Sequence, residues 1–122
     1  KETLFLNGQL LGYQMAYNPS RFIGPVLLTT TNTNLKTFTN KGIVKSIFTA
    51  NTFNGPIAFS LYLVPVGQTP GLANRIFGDV LLAENTSRST ETTLIVNAGE
   101  ALWASANTSN GVSMMVSGVE IV

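Results

Sequence analysis

The sequence predicts an all-β protein: a two-sheet β-sandwich or jelly roll, preceded by an extended N-terminal arm or extra strands. Three observations point to the all-β class. Short β-branched and aromatic runs alternate with Gly, Asn and Pro clusters every 8 to 14 residues, close to the ~8–12-residue rhythm of sandwiches and barrels. No segment holds a helical apolar period for long. The best candidate, GLANRIFGDVLLAE at 71–84, is interrupted by Gly78-Asp79. Finally, the 122 residues are 44% hydrophobic but only 11% charged, against about a quarter charged in ordinary domains. Polarity comes instead from Asn, Ser, Thr and Gln. That is enough chain for one domain with a real core, and too apolar for a disordered one.

The elements follow in order. Residues 1–25, KETLFLNGQLLGYQMAYNPSRFIGP, carry apolar side chains without a lasting period and are broken by Gly8, Gly12, Pro19, Gly24 and Pro25. They are expected as extra strands on the same domain or as an arm laid on a neighbouring chain. Residues 26–122 are expected to form the sandwich. Its strands are read at 26–31, 34–39, 43–53, 57–64, 72–77, 80–84, 90–96, 101–106 and 112–121. Asn54-Gly55-Pro56 is expected as a tight hairpin turn, because Asn-Gly supplies the positive φ angles such a turn needs. Gly78-Asp79, Asn97-Ala98-Gly99-Glu100 and 107–111 are read as further turns.

The stretch IAFSLYLVPVGQTP, 57–70, raises a problem. A strand with one wet face should alternate apolar and polar residues. Ile57, Phe59, Leu61 and Leu63 fill one face, yet the other passes from Ala58 and Ser60 to Tyr62, Val64 and Val66. VSMMVSGVEIV shows the same doubling, with Val112, Met114 and Val116 on one face and Met115, Val119 and Ile121 on the other. Exposed apolar patches of that size mark interfaces, so Tyr62, Val64, Trp103 and Met115 are expected between subunits. In ALWASA, Leu102, Ala104 and Ala106 share a face, which turns Trp103 outward if they face the core. Pro65 lacks the N–H that a central ladder needs, so the strand is expected to end there or to run along an edge.

Catalytic chemistry finds little to work with. The chain has no His and no Cys, one Asp (Asp79), and Glu only at 2, 84, 91, 100 and 120. A Ser-His-Asp triad, a His-based metal site and disulfides are excluded. Glu84 and Glu91 form a formal carboxylate pair but read as solvent-facing strand ends. No phosphate-cradling glycine motif occurs, and one carboxylate is thin for calcium. No enzyme activity and no cofactor is expected. A net charge of +1 speaks against nucleic acid and anionic membranes as partners. No run is long enough to span a membrane, and no signal-peptide pattern is read. Two glycosylation-type triplets, at Asn85 and Asn107, are no more than this composition produces by chance.

From Gly42 onward an ordered set of motifs appears: IVKSI, LYLVPVG, the GDVLLA segment, and SGVE almost at the end. In this order the chain resembles small all-β virion structural proteins of tailed bacteriophages, over about 80 of the 122 residues. The resemblance implies a virion location and a capsid decoration or cement role. It implies a jelly-roll sandwich, often a homotrimer, and partners among the major capsid protein and other virion proteins. On that reading the arm, through Leu4, Phe5, Leu10, Leu11, Tyr13, Tyr17 and Phe22, meets the capsid. The alternative expectation is a fibre or tail-tip module that binds host surface glycan through Trp103 and the loops at 85–90 and 107–110.

Overall fold

The computed structural model describes residues 17–122 throughout, and the backbone alone for residues 2–6 and 9–14. The side chains of Leu4, Phe5, Leu10, Leu11 and Tyr13 therefore lie outside the described residues. Strands β1 (Glu2–Leu6) and β2 (Gln9–Gln14) pair antiparallel.

Eight further strands build a sandwich of two antiparallel four-stranded sheets. Sheet I has the order β3 (Tyr17–Leu27), β10 (Val112–Ile121), β5 (Gly42–Asn51), β8 (Ser87–Val96). Sheet II has the order β4 (Thr33–Thr37), β9 (Ala101–Ala106), β6 (Ile57–Val64), β7 (Arg75–Leu82). The pairings nest: β3 with β10, β4 with β9, β5 with β8, and β6 with β7. The eight strands thus form one long two-stranded hairpin whose successive paired segments alternate between the two sheets.

Alternation sets the core. Val44 and Ile47 on β5 and Val112, Met114 and Val116 on β10 point inward from sheet I, against Ile57, Phe59, Leu61, Leu102 and Ala104 from sheet II. All are at most 2% exposed. Burying such side chains stabilises the fold by about 1.5–3 kcal/mol each. Leu28 and Phe38, from the connections flanking β4, close the ends.

Two of the expected turns do not reverse the chain between paired strands. Asn54-Gly55-Pro56 is not a hairpin, because it carries the chain from β5 in sheet I to β6 in sheet II. Neither Asn54 nor Gly55 takes a positive φ. Buried Asn51 holds this corner. Its Nδ2 donates to the carbonyls of Gly55 (2.8 Å), Ala83 (3.0 Å) and Leu82 (3.2 Å), and its Oδ1 accepts from the N–H of Phe53 (2.8 Å). Gly78-Asp79 is not a turn either. Strand β7 runs through it, and the two residues stand opposite Ser60 alone, between the pairs Leu61 with Phe77 and Phe59 with Val80. This is a β-bulge, with Asp79 at φ 49° and its N–H donating to Ser60 Oγ (3.0 Å). Residues 72–74 form a short 3-10 helix rather than the expected strand start.

The 97–100 turn does lie where expected, between β8 and β9. Gly99 takes φ 89° and donates to the carbonyl of Phe38 at 2.7 Å. β6 stops at Val64, before Pro65, but it is a central strand, not an edge. Strand β3 runs from Tyr17 past residue 26, so residues 17–25 lie in sheet I as an extra strand beside β10.

Candidate functional site

With the inner faces committed to the core, the outward faces of the two sheets are what the chain can offer another molecule. Cross-strand register reads each of them row by row.

On sheet I one outward row is polar: Arg21 on β3, Ser117 on β10, Ser46 on β5 and Glu91 on β8. Arg21 and Glu91 are exposed, on the two opposite edge strands. The sheet bends at this row. Phe22 is skipped by β10, Lys45 is skipped by β10, and Lys45 stands against two residues, Thr92 and Thr93, on β8. Gly118 makes the bend possible, since a Cβ there would collide with the carbonyl oxygen of Ile43 and lie 2.9 Å from the Lys45 nitrogen. Bulges re-aim side chains. Here Lys45 emerges between two shallow hollows, one lined by Arg21, Ser20 and Ser117, the other by Ser46, Glu91 and Thr93. Its Nζ donates to Thr93 Oγ1 at 3.0 Å.

The rows on either side carry the apolar side chains, though the second of them ends in Ser89 on β8. One side holds Pro19, Val119, Ile43 and Ile95, a row across all four strands, followed by Tyr17 beside Ile121. Ile95 is 54% exposed and Tyr17 66%. On the other side Met115 pairs with Phe48, which is 38% exposed.

Sheet II turns out a different row: Asn34, Trp103, Tyr62 and Arg75. Leu102, Ala104 and Ala106 do face the core, and Trp103 does face outward, half-buried beside Tyr62. Asn34 Nδ2 donates to Thr37 Oγ1 (2.9 Å), and the Arg75 guanidinium packs over Gly78. In the next row Ser60 is buried and bonded to Asp79.

The sequence-derived candidates therefore scatter. Tyr62 and Trp103 meet as cross-strand neighbours on sheet II, while Met115 lies on sheet I, on the far side of the molecule. Val64 is corrected: its own chain leaves it 3% exposed, so it presents nothing to a partner. Phe22 is corrected as an arm contact, because the bulge in β3 turns it onto the core, where its ring lies 4.8 Å from that of Phe38. Tyr17 remains exposed, but as a strand residue paired with Ile121. Of the loop expected at 85–90, residues from Ser87 onward belong to β8. The 107–110 loop is tied down, with Asn107 bonded to both backbone groups of Ala58, and Asn110 to Leu28 and Thr52. Asp79, the one aspartate, is occupied with the β7 bulge. Among the described residues no group of three or more acidic, His or Cys side chains could hold a metal. Sequence reasoning missed Arg21 and Lys45, and read Glu91 only as a solvent-facing carboxylate. They are ordinary charges in the chain, and only strand order sets Arg21 and Glu91 in one row with Lys45 beside it.

No protein-family model matches the chain, and no curated protein does. Among solved structures it is similar to a chain in the structure of infectious bursal disease virus, Gx strain, at 14% identity and a TM-score of 0.34, covering 85% of this chain. It is also similar to a chain in the Gt-strain structure, at 12% identity and a TM-score of 0.34, covering 88% of this chain. In both cases the match spans 30% of the viral chain.

Proposed function

We propose that this chain is a structural subunit of a virion, a capsid decoration or cement protein of the bacteriophage type, acting through contacts between subunits. The observation that supports this reading best is the nested pairing of β3 with β10, β4 with β9, β5 with β8 and β6 with β7. We read a long hairpin wrapped into two four-stranded sheets as jelly-roll-like, the double-sheet architecture of capsid and lectin domains. Fold alone does not assign function. The ordered motifs from Gly42 to the SGVE segment, and an outer sheet face rich in Ile, Val, Met and Phe, add the rest. On this reading the work is mechanical: apolar burial across junctions favours the assembled particle by mass action. Residues 1–16 supply the contacts with the capsid lattice.

The test is direct. Purified particles should contain the chain at fixed stoichiometry, with density on the outer surface of the shell, and particles lacking it should release their genome at lower temperature. A chain absent from purified particles overturns the reading.

A second reading, recognition of a host glycan, is favoured by the row Asn34–Trp103–Tyr62–Arg75. It sets two aromatic side chains between an amide and a guanidinium. Binding on a glycan array that is lost in Trp103→Ala would select it over the first.

A further inference from the structure

We propose that the outward face of sheet I is a self-complementary interface, on which a second copy of this chain docks about a two-fold axis parallel to the strands. The inference concerns the subunit contacts of the virion reading and rests on that reading for its purpose, but its test needs only the free chain.

The charge pattern selects both the partner and the axis. Arg21 and Glu91 occupy the two ends of one row, on the edge strands β3 and β8. Three strand spacings separate them, ~14 Å at ~4.8 Å per strand, too far to pair within one chain. Rotation about an axis along the strands preserves position along the strands and inverts it across the sheet. Each β3 then lies over the partner's β8, and Arg21 of each copy meets Glu91 of the other, twice over. The same rotation lays the apolar row of Val119, Ile43 and Ile95 on its own counterpart. It also lays Met115 and Phe48 on theirs. An axis across the strands would instead stack β3 on β3 and set Arg21 against Arg21. An isologous contact of this kind closes after two copies and leaves no open end.

The area suffices. Four strands of about ten residues span on the order of 20 by 30 Å. That is about 600 Å² per copy, and a total that clears the ~1,000 Å² expected of a specific interface. Aligned packing of sheets face to face is a standard arrangement. Lys45 is the one discordant charge. Held against Thr93, it stands at the β8 edge beside Glu91 and makes each corner of the pair net positive.

Sedimentation of the full-length chain at micromolar concentration tests this, with thermal melts to confirm that each variant folds. Arg21→Glu and Glu91→Arg should each weaken self-association about tenfold or more, as expected for close interfacial charges. The double reversal, R21E with E91R, should bring association back to within about threefold of the parent, because it swaps the signs and keeps the pairing. Lys45→Gln should strengthen association, and Ile95→Asp should abolish it. A chain that is monomeric before any substitution overturns the proposal; that is the outcome if residues 1–16 fold over this face. An oligomer indifferent to both single reversals, or a double reversal no better than the singles, overturns it as well.

Discussion

The two outward faces obey the same alternation and end up with opposite characters. Sheet I leaves Ile43, Val119, Ile95, Met115 and Phe48 on its outside, in rows parted by one polar row. Sheet II places Trp103 and Tyr62 outside but flanks them with Asn34 and Arg75, and Ser60 and Asp79 satisfy each other one row along. Leu81, 67% exposed, is an apolar side chain on β7 without comparable company. Apolar side chains in one contiguous surface behave differently from the same number scattered. One face thus has reason to be covered, whereas the other is largely complete with its own partners.

Substitutions can break or sharpen that contrast. The largest effect is expected at the bend of sheet I. Gly118→Val forces a side chain into the carbonyl of Ile43 and should prevent folding, read as loss of the cooperative denaturation transition. Next is the corner that both sheets share. Asn51→Leu strands the carbonyls of Gly55, Leu82 and Ala83. At about 1–3 kcal/mol for each buried group left unpaired, a loss of about 3 kcal/mol in urea denaturation is expected. Trp103→Ala should cost about 1–2 kcal/mol in stability and leave the sedimentation coefficient unchanged. Phe48→Ser is the mirror case: stability stays within about 0.5 kcal/mol, while self-association falls. Leu81→Ser should alter neither quantity, and a change in association there would erase the distinction between the faces.

Much of the sandwich was legible in the chain. The strands at 57–64, 101–106 and 112–121 lie where alternation and turn residues place them, because their period-2 pattern is set by the core they face. The failures share one cause. Asn54-Gly55 looks like a hairpin and Gly78-Asp79 like a turn because those residues tolerate unusual backbone angles. What decides whether the chain reverses, bulges or crosses to the other sheet is which strand lies alongside, and that is non-local. Val64 shows the same limit: its outward parity was correct, yet the fold of its own chain covers it. The row from Arg21 to Glu91 was invisible for the same reason, since 70 positions and two intervening strands separate its ends.

Nested pairing also governs how the molecule can be made. Of the eight sandwich strands, β6 and β7 form the pair closest along the chain; every later pair in the nest encloses the one before, until Tyr17 lies opposite Ile121. Loop closure over such distances is slow, so zippering would start at the innermost pair and work outward. Sheet I cannot complete its middle until β10 has left the ribosome, and in the finished protein that late strand is clasped on both sides. A protein that folds once and must then persist gains from the reverse of this order, because a strand held on both sides is harder to peel away than one at an edge.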